Sequence, residues 1–284
     1  MKCDLCPRKC LVDRKKGEKG ICGQTENLKV ARAALHFWEE PCISGDAGSG
    51  AVFFSGCPLH CVFCQNENIA NGTVGKEISL ERLVDIFLEL QEKRANNINL
   101  VTPGHFVPQI VKALDQARKE GLTLPVVYNT SSYETVDTIK MLEGYVDIYL
   151  PDFKYMSPVL SKKYSHAPDY AEVAKAAIAE MVRQTGKAVF VNGDEDNLIL
   201  SGTIVRHLTL PGCMADSMQI VKYLHDTYGD KIYISIMNQF TPLSNLEKYP
   251  ELNRRITDEE YETLVDYAID IGIENGFIQE GDTA

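Results

Sequence analysis

The segment CPLHCVFC contains three closely spaced cysteines, Cys57, Cys61 and Cys64. Thiolates are strong soft ligands, and in a reducing compartment cysteines this close in sequence are more often metal ligands than disulfide partners. Three thiolates are one fewer than a cubane 4Fe–4S cluster requires, so one iron would keep an open coordination position. The triplet therefore predicts an iron–sulfur centre that binds an external ligand. The alternative is a zinc site, or an electron-transfer cluster completed by a fourth cysteine.

A second cysteine group comes first in the chain and comprises Cys3, Cys6, Cys10 and Cys22. Four thiolates can close a site, and the five basic residues between positions 8 and 16 would stabilise an anionic centre. The spacing fits a structural zinc site and an auxiliary iron–sulfur cluster equally well. Cys42 and Cys213 have no spacing partner and are expected to be small, buried side chains without a metal role.

The composition excludes several classes of protein. The 284 residues include 29 Lys or Arg and 40 Asp or Glu, which gives a net charge of −11 and argues against nucleic acid and anionic membranes as partners. A hydrophobic fraction of 44% and a charged fraction of 24% are typical of a globular protein. No apolar run approaches the roughly 18 residues of a membrane span, and the first residues lack the apolar segment of a signal peptide. We therefore expect a cytoplasmic protein.

Charge changes along the chain together with cysteine content. Residues 1–32 contain nine basic and four acidic residues, a net of +5, so the remainder carries −16. The segment SGDAGSG at 44–50 is rich in small, flexible residues and is typical of a joint. We expect a cysteine-rich metal-binding module at 1–45 and a second domain at 46–284.

In the second domain, short apolar runs alternate with helical patterns. A strand at 51–55 precedes the cysteine triplet, and a helix begins after Ser79 with its apolar residues on one face. The last helix begins with a capping box of Thr257 and Glu260. Further strands are predicted at 98–101, 125–129, 146–150 and 232–236, helices at 106–120, 133–143, 169–185 and 214–228, and a β-hairpin within 187–209 around Asn192 to Asp194. Repeated βα units predict an α/β fold with a parallel sheet, either open or closed into a barrel.

The C-x3-C-x2-C spacing, with the aromatic Phe63 before the third cysteine and a strand before the first, resembles the radical SAM superfamily. Other segments resemble one subgroup over nearly the whole chain, the pyruvate formate-lyase activating enzyme-related (PflX-like) proteins. These segments are CDLCPRKC, HFWEEPCISG, INLVTPGHFVPQI, VVYNTSSYE, VDIYLPDFKY, VRHLTLPG and MNQFTP. The resemblance implies a partial (β/α)6 radical SAM barrel.

The resemblance also implies an activity. A 4Fe–4S cluster on the triplet would bind S-adenosylmethionine and cleave it, with an electron from reduced flavodoxin or ferredoxin, to a 5'-deoxyadenosyl radical that abstracts a hydrogen atom. The enzyme would be an anaerobic oxidoreductase acting on a glycyl radical enzyme, or on a small molecule or peptide. The ferredoxin-like cysteine insert of many activases does not follow the triplet here, which counts against a standard activase. The alternative of another class is a noncatalytic iron–sulfur or zinc protein.

By resemblance, four residues would contact the bound S-adenosylmethionine at its adenine and charged ends. Phe63 would pack near the adenine, and Lys154 would neutralise the carboxylate with Asp152 orienting it. Arg206 would reach the cofactor from a late strand. The competing interpretation of Asp152 and Lys154 is a surface ion pair.

Three further residues complete the expected cofactor site. Asn129 and Ser131 stand where related enzymes bind the ribose, although Asn-Thr-Ser-Ser is equally typical of a turn whose side chains cap a helix. Thr102 begins the Thr-Pro-Gly-His sequence that replaces the Gly-Gly-Glu of many superfamily members, and could substitute for its contact. The run from His36 to Glu40 either lines a substrate entrance or packs between the two domains, and the sequence favours packing.

Overall fold

The computed structural model describes residues 2–193, 197–244 and 246–279. Asp194 of the predicted hairpin turn and the last five residues of the predicted second domain lie outside these ranges. The strands are β1 Lys29–His36, β2 Ser49–Phe54, β3 Lys76–Glu77, β4 Ile98–Val101, β5 Val126–Thr130, β6 Ile148–Pro151, β7 Val189–Phe190, β8 Ile199–Leu208, β9 Tyr233–Met237 and β10 Gly276–Ile278.

The helices alternate with these strands. They are α1 Pro41–Ser44, α2 Glu67–Ala70, α3 Leu80–Glu92, α4 Val107–Lys119, α5 Val136–Lys140, α6 Pro158–Ser165, α7 Tyr170–Thr185, α8 Met214–Tyr228 and α9 Asp258–Asp270. None of these helices combines the length and apolarity needed to cross a bilayer.

The strands form one sheet in the order β10-β9-β8-β6-β5-β4-β2-β1-β3, with β7 paired to β8 as an antiparallel hairpin. The pairs from β2 to β10 along this order are parallel. The predicted α/β fold with a parallel sheet is therefore confirmed. Since β10 and β3 end the order without pairing with each other, the sheet is open, which is consistent with a partial barrel.

The antiparallel strand β1 was not predicted from the sequence. It pairs with β2, with Ala33 opposite Val52 and His36 opposite Ser49. Its sequence KVARAALH is rich in alanine and poor in β-branched residues, so its strand propensity is weak. Residues inside the predicted N-terminal module thus belong to the main sheet, and the domain boundary near residue 45 stays a prediction.

Helix α3 shows how the local sequence forms an element and a core. The Ser79 hydroxyl accepts a hydrogen bond from the Arg82 backbone N–H and caps the helix as predicted. The apolar face, including Leu83 and Phe87, is fully buried against the sheet and the neighbouring α4. The capping box of Thr257 and Glu260 at α9 is also confirmed.

The helix predicted at 133–143 is shorter, Val136–Lys140. Thr135 has an extended backbone, with φ −79° and ψ 146°, so the helix starts only after it. Thr135 then caps the helix by accepting a hydrogen bond from the Thr138 N–H. Residues 133–135 belong instead to the loop that follows β5.

We expect Phe87→Ala to lower the free energy of unfolding by about 3–5 kcal/mol, because it leaves a cavity in a fully buried core. Urea unfolding followed by circular dichroism measures this loss. Phe37→Ala removes the same side chain from a position that is 51% exposed and should cost clearly less. Equal losses for the two variants would contradict this assignment of the core.

Candidate active site

The three cysteines lie in a loop, residues 56–64, which we call the cluster loop. It begins at Gly56, two residues after the end of β2, with a φ of 91°. A Cβ at Gly56 would lie 2.5 Å from the carbonyl oxygen of Cys22, so only glycine fits there. The His60 ring contacts the Ile21 carbonyl oxygen at 2.8 Å. The N-terminal segment therefore supports the cluster loop directly.

Hydrogen-bond donors surround the sulfur atoms of the cluster loop. The Leu59 N–H donates to Cys57 Sγ at 3.4 Å, and the Ser165 hydroxyl donates to Cys61 Sγ at 3.0 Å. Burial raises the pKa of Cys57 to about 12, so this thiol would ionise near neutral pH only when a cation binds it. Donors directed at buried sulfurs suit thiolates that ligate an iron–sulfur cluster.

The three thiols of the cluster loop are not arranged as a single-ion site. In the described ranges, no three His, Cys, Asp or Glu side chains stand close enough together to hold one metal ion. In a cubane each cysteine binds a different iron, so its ligands stand farther apart than those around one zinc ion. Cys57, Cys61 and Cys64 are the residues that would hold such a cluster, and all three line the adjoining cavity.

That cavity has a volume of about 550 Å³ and extends from the cluster loop across the carboxyl ends of the parallel strands. The sheet register explains the convergence, because Val101 pairs with Asn129 and Asp152 bridges to Arg206. The structure brings together every cofactor-binding residue expected from the sequence. The cavity is lined by the three cysteines and by Phe63, Thr102, Asn129, Ser131, Asp152, Lys154 and Arg206.

Asp152 joins two cations at the centre of the cavity wall. It accepts hydrogen bonds from Lys154 Nζ at 2.7 Å and from Arg206 Nε at 2.9 Å. Burial acts to raise the pKa of Asp152, but Arg206 and Lys154 outweigh it and hold the pKa below its ordinary value. The carboxylate is therefore ionised at neutral pH. The ion pair of Asp152 and Lys154 is therefore present, and with side chains only 16–17% exposed it lies in the cavity wall and not on the open surface.

Glu39 is the residue of this network that the sequence did not assign. Its carboxylate accepts from Arg206 at 2.9 Å, from Asn129 at 3.2 Å and from Asn99 at 3.1 Å. Arg206 donates in addition to Asn129 Oδ1 at 2.7 Å. Glu39 follows the unpredicted strand β1, and the position of that strand sets which partners it meets.

The run around Glu39 also corrects an expectation. The sequence favoured interdomain packing for this run, but His36, Trp38 and Glu39 line the cavity. Trp38 is 86% exposed, so the cavity reaches the protein surface beside it. Glu40 instead is buried, and burial raises the pKa of its carboxyl group. The run is thus a cavity wall, and its clustering of aromatic and acidic residues was the available signal.

Three predicted residues contribute through packing and backbone geometry. Phe63 is 6% exposed and packs edge-on against Phe240, with ring centroids 5.9 Å apart. Thr102 has a φ of 54°, and its N–H donates to the Asn129 carbonyl at 2.9 Å. The carbonyl of Ser131 accepts from the Tyr170 hydroxyl at 2.9 Å. The positions of the Thr102 and Ser131 backbones are therefore fixed at the cavity edge.

The two cysteines without spacing partners lie apart from this cavity wall. Cys42 is 5% exposed and packs in an apolar cluster with Ile43 and Val127. Cys213 is partly buried against the larger apolar cluster on the side of α8. The prediction that Cys42 is a small buried side chain is confirmed.

Comparisons with known proteins agree with this geometry. Residues 51–197, just over half of the chain, match the radical SAM superfamily. The chain is also 27% identical over 272 residues to the uncharacterized protein MJ0674 of Methanocaldococcus jannaschii, covering 94% of this chain and 74% of that protein. The chain belongs to the radical SAM superfamily, whose members are enzymes that use a 4Fe–4S cluster and S-adenosylmethionine.

Solved structures show the same fold at low sequence identity. Streptococcus suis SuiB, bound to S-adenosylmethionine, has a TM-score of 0.54 and 14% identity over 80% of this chain. The match covers 48% of SuiB, so the chain spans about half the length of that protein. A radical SAM methyltransferase from Sphaerobacter thermophilus has a TM-score of 0.53 and 14% identity, with 81% of this chain and 66% of that chain covered. The predicted radical SAM fold is therefore confirmed.

We expect Arg206→Met to destabilise the protein by about 3–5 kcal/mol, because it leaves Asp152 and Glu39 buried without their cation. The folded-state pKa of Asp152 is depressed, so the loss should be full above about pH 4 and shrink as pH falls through that lower pKa. Urea unfolding at several pH values measures it. Arg183→Met removes an arginine that pairs with two carboxylates but is 51% exposed, and should cost much less.

Proposed function

We propose that this protein cleaves S-adenosylmethionine reductively and uses the resulting 5'-deoxyadenosyl radical to abstract a hydrogen atom from a substrate that enters beside Trp38. The observation that carries this proposal is the single cavity that adjoins both the cluster loop and the charge network of Asp152, Lys154 and Arg206. A noncatalytic electron carrier would not require such a cavity next to its cluster.

The cluster with bound S-adenosylmethionine supplies one-electron cleavage of the sulfur–carbon bond. The residues of this chain bind and orient. An ammonium has three donors, and Asp152 takes one from Lys154, so the others are available to a carboxylate in the cavity. Asn129 and Arg206 are already hydrogen-bonded to each other and to Glu39, so the wall is rigid before a ligand binds.

At a finer level, we propose that the chain is a PflX-like relative of the pyruvate formate-lyase activating enzymes, with reduced flavodoxin or ferredoxin as its electron donor. Its target is a glycyl radical enzyme, or alternatively a small molecule or peptide. The cavity's opening beside the exposed Trp38 supports a target that reaches the cluster from outside, as a protein loop or free molecule does.

The first test is anaerobic reconstitution with iron and sulfide, followed by dithionite and S-adenosylmethionine. We expect 5'-deoxyadenosine to form, and Cys61→Ala to abolish it because the cluster loses a ligand. Cys213→Ala, which removes a cysteine outside the cavity wall, should retain it. A chain that incorporates the cluster but forms no 5'-deoxyadenosine would contradict the proposal.

Lys154→Met should weaken binding of S-adenosylmethionine to the reconstituted protein by roughly 10- to 100-fold, because a charge-assisted hydrogen bond is worth about 1.5–3 kcal/mol. The change in the cluster's EPR spectrum with added S-adenosylmethionine measures the affinity. Lys119→Met removes an exposed lysine that also pairs with an aspartate, and serves as the control. Equal affinity in the two variants would remove Lys154 from the proposed site.

The identity of the target has its own experiment. Incubation of the reduced, loaded enzyme with a glycyl radical protein encoded near its gene should produce a glycyl radical EPR signal on that protein. If S-adenosylmethionine is cleaved and no such signal forms, the activase assignment is wrong. The small-molecule or peptide alternative then stands.

A further inference from the structure

The N-terminal cysteines converge although the sequence separates them by up to 19 positions. Backbone hydrogen bonds from Cys3 N to Val12 O at 2.9 Å and from Leu11 N to Cys3 O at 3.0 Å bring Cys3 beside Cys10. A turn with Lys9 N donating to the Cys6 carbonyl places Cys6 between them. The backbone before Cys22 joins the group, because Ile21 N–H donates to Cys10 Sγ at 3.3 Å.

The packing around these thiols is close. A Cβ at Gly20 would lie 3.0 Å from Cys10 Sγ. Any residue other than glycine at position 20 would therefore require the Cys10 sulfur or the backbone to shift. Together with the backbone hydrogen bonds above, this close packing brings Cys3, Cys6, Cys10 and the segment that leads into Cys22 into one small region.

Arg14 is a buried cation that has no acidic partner. It is 8% exposed, and its guanidinium donates to the carbonyl oxygens of Thr25 and His105 and lies over the Phe106 ring. Among the described residues, no carboxylate forms an ion pair with it. A buried charge without a counter-charge costs several kcal/mol. Arg14 lies beside the cysteine group: its guanidinium donates to the carbonyl of Thr25, three residues after Cys22, and Val12, which pairs with Cys3, stands two residues before it.

We propose that Cys3, Cys6, Cys10 and Cys22 hold a second metal centre whose negative charge is the counter-charge of Arg14. Four thiolates around zinc, or around a 4Fe–4S cluster, carry a net negative charge, and either centre would neutralise the buried guanidinium. In the described ranges no three such side chains form a single-ion site, so zinc would require the thiols to move on binding.

Arg8, between Cys6 and Cys10, connects this centre to the active site. Its guanidinium donates to Pro58 O of the cluster loop at 2.9 Å, to His166 O at 2.6 Å and to Ser165 O at 3.0 Å. The hydroxyl of the same Ser165 donates to Cys61 Sγ. The second centre would therefore fix the backbone around Arg8. Arg8 in turn positions the cluster loop and Ser165, which donates to the cluster ligand Cys61.

The direct test uses the full chain with Cys57→Ala, Cys61→Ala and Cys64→Ala combined, so that only the second centre can bind metal. The protein is loaded anaerobically, once with zinc and once with iron and sulfide, and metal per chain is measured after gel filtration. We expect one zinc ion per chain, or about four irons with cluster absorbance, and the two loadings distinguish the metals. Adding Cys6→Ser and Cys22→Ser should remove this metal.

A folded triple variant that retains neither metal would overturn the proposal. If the triple variant does not fold, the comparison uses the otherwise unchanged chain with and without Cys6→Ser and Cys22→Ser. The metal content should then fall by the amount of one centre, and an unchanged content would overturn the proposal. Cleavage of S-adenosylmethionine is not measured here, so failure of the proposed function would leave this result unaffected.

The role of Arg14 is tested by Arg14→Met in the same triple-variant background. Removal of a counter-charge beside a metal centre should weaken metal affinity about 10- to 100-fold in competition with a chelator. Arg14→Lys, which keeps the charge, should recover part of the loss. Lys15→Met is the control, since Lys15 is 67% exposed and pairs weakly with Glu26 at 4.0 Å. An affinity in Arg14→Met equal to that of the control would overturn the counter-charge assignment.

Discussion

The site depends on the hydrogen bonds and ion pairs that the Arg206 guanidinium makes. This guanidinium binds Asp152 after β6, Glu39 after β1 and Asn129 on β5, and so joins three parts of the sheet edge from its own strand β8. Two cations, Arg206 and Lys154, face two carboxylates, Asp152 and Glu39, so the network is balanced. A buried charge left without its partner costs several kcal/mol. Each strand end must therefore keep its position, so that the charged side chains at the other strand ends stay paired.

The N-terminal segment contributes to the same site. It supplies Glu39 through β1, and it supports the cluster loop through Arg8, Ile21 and the close approach of Cys22 to Gly56. These are short-range contacts to backbone atoms, so they fix where the cluster loop lies. The segment therefore acts on both sides of the cavity, the charge network and the cysteine triplet.

Local signals made much of the fold predictable. Neighbouring residues are enough to predict the cap at Ser79, the capping box at Thr257 and the strand before Cys57. The parallel pairing of the strands followed from the repeated βα units. Strand β1 lacked such a signal, because its alanines gain their strand conformation from pairing with β2. Glu39 was missed for that reason: its partners lie 60 to 167 positions away and only tertiary structure brings them together.

The histidines near the site show what kind of chemistry its walls suit. Burial lowers the pKa of His105 and His207 to about 4, so both are neutral at neutral pH. Their rings contact backbone oxygens of Ser55 and Phe153, at 2.7 and 2.8 Å, on either side of the sheet edge. They thus fix the ends of β2 and the segment after β6 rather than transfer protons. A cavity wall built from balanced charges and fixed strand ends favours positioning over acid–base catalysis, which is the requirement for directing a radical to one hydrogen atom.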